Sequence, residues 1–260
     1  HTIYIGRSLN CVGANAFEFA GDSRNGRKAK LDQITVDQSN ERFYSQNGML
    51  IERRDDGDYV LLHDGRTSCV RIPDAVVAVC DMAFYNSTVS ELFVPASLRK
   101  VSQRAFLGCD GLESVHIDYP EPVNGFDELT VLFPIFSRDR WDFSRSLCIN
   151  PSGNFLDFEI YDAYVVHEPN HKRVVEMALA RLMKPVDLSE ASRANYESAV
   201  LRYLPIAIAS FEDEQNTDAL DALSCYAHSN KAIRNELIRL GKETQNVATC
   251  SAASRLIGGW

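Results

Sequence analysis

The stretch "IPDAVVAVCDMAFYNS", residues Ile72 to Ser87, decides the fold because it returns as "VPASLRKVSQRAFLGC", residues Val94 to Cys109. Each copy places a proline, a valine and an Ala-Phe pair at the same positions, 22 residues apart. A third copy, "IGRSLNCVGANAFEFA" from Ile5 to Ala20, repeats the serine, leucine, valine and Ala-Phe positions of the copy that starts at Val94. Such self-similarity predicts a repeat architecture, in which each coil covers the apolar face of its neighbour.

Each copy leads into a short segment whose apolar residues alternate: residues 31–36, 89–94 and 112–117. Alternation with a period of two predicts strands that bury one face and offer the other to solvent. The intervening side chains form the candidate protein-binding face: Gln33, Thr35, Glu91, Phe93, Ser114 and His116. An insertion after the first copy leaves open whether the first two of these residues join the other four.

That insertion, at about residues 43–63, reads as a hairpin. Two apolar runs, Met49 to Ile51 and Tyr59 to Leu62, flank an Asp-Gly turn within residues 55–58. An Asp-Gly pair between apolar runs is a strong local signal for a turn between antiparallel strands.

These features together resemble the BspA type of leucine-rich repeat over about residues 3–118. The shared features are the proline, the Ala-Phe pair, the alternating strand and the "FYSQNGML" hairpin from Phe43 to Leu50. The first copy departs from the pattern, with Gly6 where a proline is usual. The resemblance implies a solenoid in which one parallel strand from each coil joins a common sheet.

Residues 119–169 lose the repeat and form an aromatic-rich connecting segment. We expect its prolines, Pro120, Pro122, Pro134 and Pro151, to prevent long regular elements. Its many aromatic and apolar side chains argue for a packed segment rather than a disordered linker. A ligand-binding aromatic cage is the alternative.

Residues 170–260 change to the period of helices. One apolar stripe predicts a first helix ended by Pro185, with the members Val174, Met177, Ala178, Arg181 and Leu182. Ser189 is expected to cap the next helix, Pro205 to begin another, and Gly241 to end or cap a later one. A last short helix is expected over residues 246–257.

The segment "MALARLMKPVDLSEASRANYESAVLRYL", Met177 to Leu204, is similar to the helical, ankyrin-like tail of a group of bacterial leucine-rich repeat proteins. The predicted fold class is therefore α+β: a short leucine-rich-repeat solenoid over residues 1–118, the connecting segment over 119–169, and an all-helical, repeat-like domain over 170–260.

The pentapeptide "HEPNH", His167 to His171, matches the H-E-x-x-H zinc motif of metalloproteases. That motif works because one helix turn brings both imidazoles to one metal ion. Pro169 lies between the histidines, and it favours a helix that begins at or after itself, leaving His167 outside. The sequence therefore predicts no metal site here, and we expect no catalytic residues and no cofactor.

Charge and composition narrow the class of partner. The net charge of −9 lies within residues 1–169, because Lys/Arg and Asp/Glu balance at 11 each in residues 170–260. An acidic first part argues against nucleic acid as a partner, and no apolar run reaches the length of a membrane span. Seven scattered cysteines without a C-x-x-C pair favour free thiols in a reducing compartment.

A non-enzymatic protein-protein interaction scaffold is the function that these patterns favour. The alternative is an enzyme or ligand sensor with a site in the cleft between the repeat and helical domains. No signal segment is visible, which favours a cytoplasmic location, but the chain opens on His1, so a cell-surface location stays open. The sequence does not identify the protein partner or the oligomeric state.

Overall fold

The computed structural model describes residues 2–13, 16, 31–133, 145–150, 153, 155–165 and 168–257, the side chain of Tyr164 excepted. Strands occupy the first half of the chain and helices the second, so the mixed α and β character predicted from the sequence is confirmed. The described residues fall into two compact units that divide between Tyr161 and Asp162.

The strands of the first unit are short, and most carry buried apolar side chains at alternate positions. In chain order they are β1 (Thr2–Ile5), β2 (Gln33–Val36), β3 (Phe43–Gln46), β4 (Met49–Arg54), β5 (Gly57–His63), β6 (Cys69–Arg71), β7 (Val76–Val79), β8 (Glu91–Val94), β9 (Lys100–Val101), β10 (Ser114–Val123) and β11 (Phe126–Leu132). The strands expected over residues 31–36, 89–94 and 112–117 are therefore present.

A four-stranded sheet has the order β11-β10-β8-β6. Three of its strands, β6, β8 and β10, are parallel, with Glu91 paired to Cys69 on one side and to Ser114 on the other. The offset from Cys69 to Glu91 is the 22-residue period of the sequence. The antiparallel strand β11 closes the sheet on the side of β10.

A five-stranded sheet, in the order β3-β4-β5-β7-β9, contains the predicted hairpin. Strands β4 and β5 are antiparallel across the Asp-Gly turn, and β3 pairs with β4. Strand β5 then pairs in parallel with β7, and β7 with β9, where Val79 faces Val101 at the 22-residue offset. The hairpin is thus built into a sheet of the repeats. Strands β1 and β2 form a separate parallel pair that shares an apolar cluster with β3, β4 and β5.

A column of stacked rings runs through the core of the first unit. Phe84 lies between His63 and Phe106, with both ring centroids 4.9 Å away. Phe155 closes the column edge-on, 6.2 Å from Phe106. All four side chains are buried. The Ala-Phe pairs of the repeats therefore fill equivalent places, while Phe17 of the first copy lies outside the described residues.

The expectation that prolines prevent long regular elements after Asp118 is wrong for the described part of that segment. Strand β10 continues through Pro120 and Pro122 to Val123, past the predicted limit at residue 118. Its register with β11 shifts between Asp118 and Val123, so both prolines fall in an irregular stretch where no ladder donor is required. Pro134 and Pro151 lie outside the described residues.

The helices of the chain end are amphipathic and follow one another closely. In chain order they are α1 (Phe158–Val165), α2 (His171–Met183), α3 (Glu190–Asp213), α4 (Thr217–Ala227), α5 (Lys231–Glu243) and α6 (Val247–Ile257). The predicted stripe of α2 is buried, and the Ser189 side chain caps α3 by accepting the Ser192 N–H at 3.0 Å. The expected last short helix is present as α6.

The prediction that Pro205 begins a new helix is wrong, because α3 passes through it without a break. Pro205 is exposed, and the backbone carbonyl that loses a donor belongs to Leu201, which is half-buried rather than in the core. The buried side chains Leu204 and Ile208 lie to one side of Pro205 around the helix axis and keep the apolar stripe continuous. Packing along this stripe outweighs the local cost of the proline.

Gly241 does not end α5, contrary to expectation, since the helix continues to Glu243. A Cβ atom at this position would lie 2.4 Å from the Cβ of Ala253 on α6. The glycine therefore serves close contact between the two helices rather than a change of chain direction.

A buried charged network holds the start of the second unit. The Arg181 guanidinium donates Nε–H and Nη2–H to the two carboxylate oxygens of Asp162, at 2.9 and 3.0 Å. It also donates to the Val186 carbonyl at 3.0 Å, and the Tyr196 hydroxyl donates to Asp162 at 2.6 Å. Each charge thus has a partner in an environment where an unpaired ion would be costly.

Candidate protein-binding sheet face

The outer face of the four-stranded sheet carries a continuous row of side chains across all four strands. Leu92, Val115 and Val131 are buried on the inner face, so their neighbours along each strand point outward. Pairing places four outward residues side by side, and we call them the outer row: Arg71, Phe93, His116 and Thr130.

Phe93 stands at the centre of the outer row with both ring faces covered. The Arg71 guanidinium lies 4.0 Å from the ring centroid, and the His116 ring stacks at 4.3 Å with an interplanar angle of 12°. Because Arg71 and His116 come from the strands on either side of β8, they cover opposite faces. The ring edge is the part of Phe93 that a partner would contact.

His116 is fixed by hydrogen bonds at both ring nitrogens. Nδ1 lies 3.1 Å from the Thr130 hydroxyl, and Nε2 lies 3.0 Å from the Glu91 carboxylate. Stacking and hydrogen bonds together hold the outer row in one arrangement, so little side-chain entropy remains to be lost on binding.

A second row lies beside the first and contains Cys69, Glu91 and Ser114. The pKa of the exposed Cys69 thiol is raised, chiefly by a hydrogen bond to the Glu91 carboxylate. Loss of the thiol proton would break this bond and place two negative charges side by side. Glu91 therefore joins the two rows, since it also contacts His116.

The structure divides the six predicted residues into two groups. Glu91, Phe93, Ser114 and His116 lie together on adjacent strands as expected. Gln33 and Thr35 lie on β2, which pairs with β1 in the separate two-stranded sheet. Among the described residues, Gln33 and Thr35 therefore do not lie in the two rows that contain the other four.

Sequence reasoning missed Cys69, Arg71 and Thr130. The first two had a visible signal, because counting back 22 residues from Glu91 and Phe93 leads to Cys69 and Arg71. Thr130 had none, since β11 is antiparallel and lies outside the repeat. Only its pairing with β10 brings it beside His116.

The described part of the zinc motif region has the predicted helix start. Helix α2 begins at His171, and the Asn170 side chain caps it by accepting the Arg173 N–H at 3.1 Å. The His171 ring stacks on Tyr203 at 4.1 Å, while His167 lies outside the described residues. Across the described parts of the chain, no three His, Cys, Asp or Glu side chains gather as a metal site.

A serine, a histidine and an aspartate also meet in the core of the first unit. The Ser87 hydroxyl lies 2.8 Å from Nδ1 of His63, and Nε2 of that histidine lies 3.5 Å from Asp64. The Gly65 N–H donates to the same Nδ1. Ser87 is only 4% exposed, so a substrate has no access to its hydroxyl. We assign this group to the packing of the ring column.

No protein-family model matches the chain, and no curated protein matches it. Two solved structures are similar to part of it: the pneumococcal vaccine antigen PcpA, with a TM-score of 0.37, and a leucine-rich cell surface protein from Faecalibacterium prausnitzii A2-165, with a TM-score of 0.38. Each is 19% identical over 44% of the chain. The chain spans about a quarter of their length, at 26% and 28%. Neither likeness bears on what the chain binds.

Among the described helices, none has both the length and the apolar character needed to cross a membrane.

Proposed function

We propose that this protein is a non-enzymatic protein-protein interaction module that binds its partner through the outer face of the four-stranded sheet. The observation that carries the proposal is the outer row, in which Arg71, Phe93, His116 and Thr130 are aligned on four neighbouring strands. These side chains have partners within the sheet and still reach solvent, which suits a rigid contact surface.

The proposal includes the architecture expected from the sequence: BspA-type leucine-rich repeats in the first part and a helical, ankyrin-like domain after them. The 22-residue offsets within both parallel ladders support the first expectation. Stacked coils of this kind present extended surfaces, which serve recognition in many repeat proteins. Fold alone does not establish function, so the proposal rests on the side chains of the outer row. The cytoplasmic location expected from the sequence stays a prediction.

A pull-down comparing three forms of the full chain tests the proposal. The test variant is Phe93→Ala combined with His116→Ala, and the control is Gln33→Ala combined with Thr35→Ala on the separate sheet. A partner captured by wild type should bind the test variant at least about tenfold more weakly, which is about 1.4 kcal/mol. The control variant should retain wild-type affinity.

Circular dichroism must show that the test variant keeps its fold. Unchanged affinity in this folded variant would contradict the proposal and move the interface away from the sheet. Loss of affinity in the control but not in the test variant would place it on the two-stranded sheet instead. A thermal-shift screen addresses the enzyme or sensor alternative, because a small-molecule site gives saturable stabilisation.

A further inference from the structure

Arg71 supplies the permanent positive charge of the outer row, and its side chain is exposed. The guanidinium lies over the Phe93 ring, 4.0 Å from the centroid. In the part of the chain that the structure describes, no carboxylate pairs with it and no acceptor takes a hydrogen bond from its side chain. A guanidinium carries five N–H donors. The outer row therefore presents a cation whose donors face solvent.

The carboxylate on the neighbouring strand, Glu91, is engaged elsewhere. It lies 3.0 Å from Nε2 of His116, and it accepts a hydrogen bond from the Cys69 thiol. The register of β6 and β8 places it one strand across from Arg71 and two residues back, at about 8 Å. Glu91 thus holds the side chains around it in place and leaves the Arg71 charge unneutralised.

The other carboxylates of this face are farther from Arg71. Asp118 lies two strands across and two residues along, at about 12 Å, and its pairing with Glu128 places the latter one strand farther still. The Debye length is about 8 Å at physiological salt, so both charges are largely screened at Arg71. A carboxylate in direct contact with the guanidinium is screened far less.

The position of the guanidinium is fixed before any partner binds. The Arg71 carbonyl accepts the Asn47 Nδ2–H at 2.8 Å, and the Ile72 N–H donates to the Phe93 carbonyl at 3.0 Å, so the backbone is held on both sides. The Phe93 ring beneath the guanidinium is held by the stacked His116 ring. A planar guanidinium in a fixed place loses little side-chain entropy when it pairs with a carboxylate.

We propose that the partner binds this face through an acidic segment, in which an aspartate or glutamate carboxylate pairs with the Arg71 guanidinium through two parallel hydrogen bonds. Because the guanidinium lies over the Phe93 ring, the bound carboxylate lies near the ring edge. A neighbouring apolar side chain of the segment contacts that edge. This inference rests on the proposed function and adds the chemistry of the partner.

The test uses two fluorescent peptides with the whole chain. Both have blocked termini and serine at every second position; the positions between alternate leucine with glutamate in one peptide and with glutamine in the other. Fluorescence anisotropy at about 150 mM salt should show saturable binding of the glutamate peptide, and the glutamine peptide should bind at least about tenfold more weakly. The net charge of the chain is −9, so general electrostatic attraction does not account for binding of an acidic peptide.

The variant Arg71→Gln should bind the glutamate peptide at least about tenfold more weakly, and Arg71→Lys at least about fivefold, because lysine keeps the charge without the planar fork. The matched control is Arg99→Gln, at another exposed arginine that has no ion pair among the described residues. It makes the same change in net charge as Arg71→Gln and should stay within about twofold of wild type. In wild type, the glutamate peptide should shift the Arg71 Nε–H signal in NMR spectra. If Arg71→Gln does not fold, Arg71→Lys decides.

Three peptide results would overturn the inference. Equal loss in Arg71→Gln and Arg99→Gln would show that net charge alone matters. Equal binding of the two peptides, or no saturable binding of either, would show that Arg71 does not select a carboxylate. Displacement of the glutamate peptide by millimolar inorganic phosphate but not by acetate would assign Arg71 to a phosphate-bearing ligand. If Phe93→Ala with His116→Ala releases the captured partner while Arg71→Gln keeps full affinity for it, this inference fails and the proposed function stands.

Discussion

Phe84 and Phe106 stack with their ring centroids 4.9 Å apart and their planes at 19°, although 22 residues separate them in the chain. Around this contact the Phe84 N–H donates to the Ala105 carbonyl at 2.8 Å, and the Cys109 thiol donates to the Phe84 carbonyl at 3.0 Å. The period of the sequence thus corresponds to direct contact between neighbouring repeats.

Truncation of Phe106 to alanine should destabilise the protein by about 3 to 5 kcal/mol, because it opens a cavity between Phe84 and Phe155. Urea unfolding measures the change. The control is Asn86→Ala in the adjacent turn. Asn86 has a φ of 51°, which lies in the left-handed region, so alanine there should cost about 1 to 2 kcal/mol from backbone strain. A nearly neutral Phe106→Ala would contradict the assigned repeat register.

The network around Asp162 predicts a large cost for losing its cation. Arg181→Met leaves a buried carboxylate without its bidentate partner and should cost about 3 to 5 kcal/mol. Tyr196→Phe removes one hydrogen bond and should cost about 1 to 2 kcal/mol. The exposed Arg239 with Glu236 and Glu243 is the control, since solvent screens these ion pairs and Arg239→Met should change the stability little. Chemical denaturation compares the three, and equal costs for both arginine variants would refute the prediction.

Gly241→Ala should destabilise the contact between α5 and α6, although alanine normally favours a helix over glycine by about 1 kcal/mol. The added methyl group would lie 2.4 Å from the Ala253 Cβ, and we expect a cost of about 1 to 3 kcal/mol. Adding Ala253→Gly removes the clash and should restore part of the loss in thermal melting. A single variant that melts at or above the wild-type temperature would show that the helices can separate without cost.

Cys69 should react with iodoacetamide more slowly than an exposed thiol usually does. Its pKa is raised chiefly by the hydrogen bond to Glu91, so less thiolate is present at pH values below that pKa. Glu91→Gln removes the negative charge, lowers the pKa and should accelerate alkylation at mildly alkaline pH. Cys80, whose pKa is raised chiefly by burial, is the internal control in peptide-resolved mass spectrometry and should keep its rate. An unchanged Cys69 rate would place its thiol away from Glu91.

The purified protein should contain no stoichiometric zinc. Helix α2 starts at His171, and the ring of this residue stacks on Tyr203. Elemental analysis after purification without chelator provides the measurement. A content of about one zinc per chain that disappears in His171→Ala would show that the pentapeptide binds metal despite Pro169.

The amino-acid sequence by itself determined the features that depend on short-range periodicity. Alternation over Glu91–Val94 and the helical stripe around Val174 each identify one buried face, and the Ser189 cap marks a helix start. The repeat adds one long-range relation, because equal spacing predicts that Phe84 and Phe106 are equivalent. These signals are visible in a single sequence since each is set by local backbone geometry.

Only the tertiary structure decided the relations between segments with unrelated patterns. Pro205 and Gly241 have local preferences against the middle of a helix, yet burial of the apolar stripe of α3 and close contact with Ala253 outweigh those preferences. In the sequence, Arg181 is a charged residue within an apolar stripe, and only the structure shows that it is paired with Asp162. The outer row likewise exists only because antiparallel β11 brings Thr130 to His116. Packing energies of several kcal/mol, summed over contacts distant in sequence, override local propensities of about 1 kcal/mol for glycine and about 3 kcal/mol for proline.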